Sequence, residues 1–271
     1  MRLLTEIPPA YTSRNMDHND DPLRQDFSQE KLCPVLQLQP VRQPTPDVRR
    51  YAHFFNGEEP MQLLVDEDID RYAFNHTSPE PDLLQALARR TQKEMHDPQM
   101  LTGRVEGRLL KLIVQLCRPR FILEVGTFTG YSALSMAEGL DDDGKIVTCE
   151  IDPAAQKVAR EAFDASPFGD RIEIRMGPAL DTVRNLESEV DLSFIDADKE
   201  RYPTYYEEIL SRTRRGGVLI FDNMLWSGRV VDPRDDTTRA IAALNETIAR
   251  DERVENVLLT VRDGVQLVRK R

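Results

Sequence analysis

Two short stretches end apolar runs in groups that can do chemistry. Phe194-Ile195-Asp196-Ala197-Asp198-Lys199 closes on two carboxylates and an amine, and Phe221-Asp222-Asn223 closes on a carboxylate and an amide. If both runs are strands of one parallel sheet, their charged tips emerge at the edge where open α/β sheets bind ligands. Asp196, Asp222 and Asn223 then offer three hard oxygen donors and no soft one. Such a set suits Mg2+, with Mn2+ or Ca2+ as alternatives, and does not suit zinc. Either cluster alone reads as readily as a chain turn or a solvated helix start. Together they crowd like charges, which a cation relieves, and Lys199 stands beside them.

A second candidate is LEVGTFTGYS, residues 123–132. Gly126 and Gly130 are four apart, but Phe128 occupies the middle-glycine place of the dinucleotide fingerprint and Tyr131 its last place. No Gly-Lys-Ser/Thr follows, so dinucleotide and phosphate-loop ligands are both disfavoured. Glu150, at the end of the next apolar run, can take both hydroxyls of a ribose. Glu124 and the glycine-loop backbone then face the rest of the ligand. An adenosine ribose without a pyrophosphate fits S-adenosyl-L-methionine. The competing reading of the glycine pair is a plain packing turn.

These groups need a scaffold. FILEVG (121–126), KIVTCEID (145–152), IEIRMG (172–177), LSFIDA (192–197) and GVLIFDN (217–223) read as strands separated by helical stretches. That alternation predicts an α/β fold, a parallel sheet with helices on both faces. Upstream, Ser78-Pro79 predicts the start of a helix with Leu83, Leu84, Leu87 and Met95 on its apolar stripe. A second helix over 103–117 carries Val105, Leu109, Leu112, Ile113 and Leu116. At the end, 254–261 and 264–270 flank Arg262-Asp263, a hairpin pattern that predicts an antiparallel last strand. Residues 1–60 hold eight of the 17 prolines but, of the 13 glycines, Gly57 alone. Residues 1–65 are therefore expected to be an irregular extension, or an arm ordered on a partner, ahead of one catalytic domain over 66–271.

The net charge of −11 disfavours a broad nucleic-acid surface. No apolar run approaches bilayer length, and the N-terminus lacks a secretory core, so no membrane partner is expected. Cys33, Cys117 and Cys149 are odd in number and lack CxxC spacing, as in a reduced, cytoplasmic protein. His53, His76 and His96 lack ligand spacing, and His18 lies in the extension.

LEVGTFTGYS, GPAL (177–180), FIDADKERY (194–202), FDNMLWSG (221–228) and DGVQL (263–267) follow one another in an order that resembles the cation-dependent O-methyltransferases. That family includes the caffeoyl-CoA and catechol O-methyltransferases, and the resemblance spans roughly residues 68–271. It implies a Rossmann-like class I methyltransferase fold, with a seven-stranded, mostly parallel sheet, and a homodimer. Carried over by position, it implies Asp196, Asp222 and Asn223 as metal ligands and Lys199 as general base. Donor contacts fall on Thr102, Glu124, Gly126, Thr127, Ser132, Glu150, Ala179 and Asp198. Met100, Thr102 and Glu106 lie in MLTGRVEG, which is similar to the family's segment before the first strand. The stretch after Trp226 is shorter than in the plant acyl-CoA enzymes, and Ser227 stands where those carry a substrate-contacting asparagine. A small free vicinal diphenol is therefore the expected aromatic acceptor, with Asp196 and Lys199 catalytic and Trp226 and Ser227 at the substrate. Trp226 reads equally as a ring wall or as a hydrophobic helix cap, and Tyr202 and Tyr205 are expected to pack. An RNA-modifying methyltransferase of the same fold and a non-catalytic interaction protein are the alternatives; a dehydrogenase ranks last.

Overall fold

The computed structural model describes residues 64–271. The extension expected over 1–65, with His18, Cys33 and His53, lies outside the described residues but for its last two positions. Seven strands form one sheet: β1 (Phe121–Val125), β2 (Lys145–Glu150), β3 (Ile172–Met176), β4 (Val190–Ile195), β5 (Thr213–Phe221), β6 (Val254–Leu259) and β7 (Val265–Lys270). Their order is β3-β2-β1-β4-β5-β7-β6. Strands β1 to β5 pair in parallel, and β7 runs antiparallel to both β5 and β6. The chain moves outward from β1 to β3 and then returns to lay β4 on the other side of β1. That reversal opens a crevice at the tips of β1 and β4.

The helices are α1 (Glu67–Asn75), α2 (Asp82–Glu94), α3 (Arg104–Cys117), α4 (Tyr131–Ala137), α5 (Pro153–Asp164), α6 (Ala179–Arg184), α7 (Tyr202–Arg212) and α8 (Asp236–Arg250). Successive strand residues point to opposite faces, and both faces are covered, so the strands are apolar throughout. Ile122, Ile146, Phe194 and Ile220 pack with Leu84, Leu110, Leu134 and Phe163 on one side. Leu123, Ile195, Leu219 and Phe221 pack with Val183, Tyr206, Ile209 and Ile241 on the other.

Two expectations fail locally. Helix α2 begins at Asp82 after Pro81, and not at Ser78-Pro79. Glu80 precedes a second proline, which pushes it out of the helical region; its carboxylate instead receives the Tyr131 hydroxyl. On α3, Leu112 and Leu116 are 56% and 83% exposed, while Glu106, Gly107, Arg108, Leu110, Ile113 and Val114 form the buried face. Gly107 turns that face inward: a Cβ there would lie 2.7 Å from Ser135 Oγ on α4. Arg108 tolerates burial because the Glu138 carboxylate takes its guanidinium through two 2.9 Å hydrogen bonds.

Cys117 and Cys149 are free thiols. Among the described residues no helix is long and apolar enough to cross a membrane. His76 Nδ1 lies 2.7 Å from its own helix's Tyr72 carbonyl, and His96 lies beside Asp97.

Candidate active site

Sheet register assembles the site. Val125 pairs with Ile195, and Ile195 with Phe221. The ladder continues one residue further: the Asp196 N–H donates to the Val125 carbonyl at 2.8 Å, and the Asp222 N–H to the Ile195 carbonyl at 3.1 Å. Gly126, Asp196 and Asp222 are thus the first residues past three adjacent strands, spaced about 4.8 Å apart from strand to strand.

On the β1–β2 side, both glycines serve packing. Gly126 has φ 103°, and a Cβ would fall 1.9 Å from the Asp196 carbonyl oxygen. A Cβ on Gly130 would sit 2.5 Å from the Phe163 ring. What marks this edge as a ligand site is therefore its carboxylates. Glu150 is fixed by backbone: Oε2 accepts from the Phe128 N–H at 2.6 Å, and Oε1 from the Ile151 and Asp152 N–H groups at 2.7 and 2.8 Å. Glu124 is fully buried. Its Oε2 accepts from the Thr148 hydroxyl, which itself lies 2.5 Å from Thr127 Oγ1. Its Oε1 has no hydrogen-bond partner among the described residues. Burial pushes Glu124 up to about 8, against the pull of the Ser132 and Thr148 hydroxyls. A buried, half-unpartnered carboxylate is costly, and it suits the ammonium of a methionine moiety. Thr102, Thr127, Ser132 and Ala179 are buried, and Asp198 Oδ1 accepts from the Tyr205 hydroxyl at 2.8 Å.

The β4–β5 side is crowded with charge. Lys199 Nζ donates to Asp196 Oδ1 at 2.7 Å and to the Tyr202 hydroxyl at 2.6 Å. Burial works against the ammonium, but the charges of Asp196 and Asp222 outweigh it and Lys199 is raised overall. Without ligands Lys199 is therefore an ammonium. Burial and the Asp196 charge push buried Asp222 up to about 6. Asn223 sits at φ 59° and donates its N–H to Asp222 Oδ1 at 2.6 Å. No three His, Cys, Asp or Glu side chains converge as a cation cage among the described residues; a third oxygen donor could come from the Asn223 amide, next in sequence to Asp222. Two neighbouring carboxylates with an amide, in a partly dry pocket, fit a hard divalent cation.

Local patterning did not assign three groups here. The Tyr202 ring packs as expected, 5.6 Å from that of Phe221, but its hydroxyl also orients Lys199. Glu106 is buried with both carboxylate oxygens unpartnered among the described residues. Burial and the Asp222 charge hold it well above the ordinary carboxylate range, and Arg262, whose Nη1 lies 3.6 Å away, opposes them. Arg262 also donates to the Leu101 carbonyl at 3.3 Å. Trp226 and Ser227 adopt φ values of 46° and 54°. Lys199 Nζ lies 5.9 Å from the Trp226 ring centre, so the ring faces the charged tips. A surface hollow lined by Pro203, Thr204, Glu207, Glu208 and Ser211 lies on the solvent face of α7, away from these groups.

The family model described as O-methyltransferase matches residues 74–271. The chain is 33% identical over 218 residues to a probable caffeoyl-CoA O-methyltransferase 1 of Dictyostelium discoideum, covering 78% of this chain and 95% of that protein. It is 35% identical to the catechol O-methyltransferase domain-containing protein 1 of Mus musculus, covering 77% and 83%. Among solved structures, an O-methyltransferase from Bacillus cereus in complex with SAH aligns with a TM-score of 0.70 at 31% identity, over 75% of this chain and 97% of that one. An O-methyltransferase from Streptomyces achromogenes, involved in tomaymycin synthesis and in complex with SAM, gives 0.69 at 28%, over 75% and 96%. Sheet order, strand-tip carboxylates and these likenesses agree: the chain belongs to the O-methyltransferase family, with the Rossmann-like fold of methyltransferases that use S-adenosyl-L-methionine.

Proposed function

We propose that the protein transfers the methyl group of S-adenosyl-L-methionine to one hydroxyl of a small vicinal diphenol, with a divalent cation, Mg2+ foremost, held by Asp196, Asp222 and Asn223. The observation that carries this reading is the register that puts Asp196 and Asp222 side by side, next to Gly126 and within reach of Lys199. Glu150 takes the ribose hydroxyls and Glu124 the donor's ammonium, while Thr102, Gly126, Thr127, Ser132, Ala179 and Asp198 line the rest of the donor site. The cation, when bound, supplies positive charge that lowers a phenol's pKa and favours the phenolate. Lys199 accepts the phenol proton at Nζ only as the neutral amine, so it must first leave the 2.7 Å pairing with Asp196 seen here and release its own proton to solvent. Tyr202 keeps Nζ aimed at the strand tips. As the new O–C bond forms, the S–C bond breaks and the demethylated donor leaves. Holding the two reacting atoms in line supplies much of the rate, up to about 7–11 kcal/mol in favourable systems.

Trp226 walls the acceptor ring and Ser227 borders it. The compact turn at Trp226–Gly228, with three left-handed residues in succession, supports a small acceptor over an acyl-CoA. The same reading takes the protein as a cytoplasmic homodimer, with the outward Leu112 and Leu116 as apolar surface for a second copy; sedimentation at micromolar concentration tests the dimer. The reaction is tested with purified protein, methyl donor and Mg2+ against vicinal diphenols, matched monophenols and a caffeoyl thioester, with products resolved by mass spectrometry. Methylated diphenol that disappears with chelator is the expected result. Equal turnover of monophenols in EDTA contradicts the cation, and preference for the thioester contradicts the small acceptor.

A further inference from the structure

We propose that Asp263, in the turn between β6 and β7, is a positioning residue that holds the Trp226–Ser227 wall against the tip of β5. The consequence for the acceptor rests on the reading above; the consequence for the loop does not.

Asn223, Trp226, Ser227 and Gly228 have φ of 59°, 46°, 54° and 78°. Three of these are L-residues with side chains, in a region such residues seldom occupy. Backbone of this kind persists where its surroundings over-determine it, and it concentrates at functional sites. Here the surroundings are the β6–β7 turn. Met224 donates its N–H to the Gly264 carbonyl at 2.9 Å, and Leu225 to the Asp263 carbonyl at 2.9 Å. The Asp263 carboxylate, buried, receives the Ser227 N–H. Asn245, from α8, secures the far side by donating to the Met224 carbonyl at 2.8 Å. Gly264 permits this closeness: at φ 92°, a Cβ would meet Leu225 Cγ at 2.5 Å and its amide nitrogen at 2.8 Å. Arg262, the preceding residue, reaches the opposite wall at Leu101 and Glu106. Three consecutive turn residues thus brace both sides of the charged tips, and this gives the DGVQL stretch a role beyond strand formation.

Trp226 is the single tryptophan of the chain, so intrinsic fluorescence reads this loop alone. Asp263→Ala is expected to red-shift the emission and strengthen acrylamide quenching well below the melting temperature. It should raise the acceptor KM by about tenfold, the weight of one lost hydrogen bond to a charged group, with donor affinity within about twofold. Asp263→Asn keeps an acceptor oxygen and should restore most of both. A purely structural role lowers the melting temperature but leaves the native-state quenching unchanged. Should Asp263→Ala fail to fold, Asn245→Ala releases the other anchor and should move Trp226 emission the same way by less. Native emission and quenching in the folded variants overturn the proposal. A wild type inert toward every diphenol overturns the acceptor reading instead, and leaves the fluorescence outcome to stand or fall by itself.

Discussion

The two halves of the crevice are built on opposite principles. At the β1–β2 tips the polar groups are settled by nearby backbone: Glu150 accepts three N–H groups, and Gly126 and Thr127 both donate to the Cys149 carbonyl. At the β4–β5 tips, Asp196, Asp222 and Glu106 crowd together against Lys199 and Arg262, and the loop after β5 carries left-handed residues. That loop is tied down by contacts distant in sequence, Ser227 to Asp263 and Met224 to Asn245. Under the proposed function, a preformed donor side and a braced, charge-strained acceptor side would divide the labour. The first would then bind one unchanging chemical group and can be rigid at little cost. The second keeps carboxylates near one another, a repulsion that a bound cation would relieve.

The sharpest way to break this contrast is to disable one half alone. Asp196→Ala should lower methyl transfer by about a thousandfold, remove its chelator sensitivity, and leave donor affinity within about twofold. Initial rates with and without EDTA, beside donor titration calorimetry, check it; full activity of this variant in EDTA rules out the cation role. The mirror experiment is Glu150→Ala, expected to weaken donor binding by about 10–100-fold while Mn2+ binding is retained. A comparable loss of Mn2+ binding would mean that the halves are not separable.

Glu124 sharpens the donor half further. Its pKa is raised from the ordinary 4.5 to about 8, so ligand-free stability from this group is fully present below 4.5 and is lost as pH rises toward 8. If Glu124 takes the donor's ammonium as proposed, binding needs the carboxylate ionised, so affinity should rise with pH by up to about tenfold per unit and level off above 8. Glu124→Gln should bind more weakly and show no such slope by calorimetry across that range. The smallest effect lies outside both halves. Arg253 and the Tyr206 hydroxyl hold Asp251 down at about 2. Its stabilisation is present above the ordinary value of 3.8 and lost as pH falls toward 2. Asp251→Asn should lower the melting temperature by a few degrees at neutral pH, show no difference at the acid end, and leave kcat unchanged.

Much of this was legible in the sequence because the informative features are local. Apolar runs marked β1, β2, β4 and β5, and adjacent parallel strands bring their last residues together at one edge; hence Asp196 lies beside Asp222 once β4 pairs with β5. The start of α2 was misplaced because Ser78-Pro79 has the form of a cap, while Glu80-Pro81 overrides it two residues on. The outward turn of Leu112 and Leu116 follows from Gly107 meeting α4, a tertiary contact that periodicity does not carry. What Glu106 meets, the role of the Tyr202 hydroxyl, the charge state of Lys199 and the brace at Asp263 were illegible for one reason. Each depends on which groups meet across the fold, and Arg262 reaches Leu101 from the other end of the described chain.

A titration of Mn2+ by electron paramagnetic resonance tests the central claim most directly. One stoichiometric ion per chain, displaced by Mg2+ and lost in Asp222→Ala with donor affinity intact, is the result expected. Equal Mn2+ binding in wild type and variant, or none in either, contradicts the shared grip of Asp196, Asp222 and Asn223.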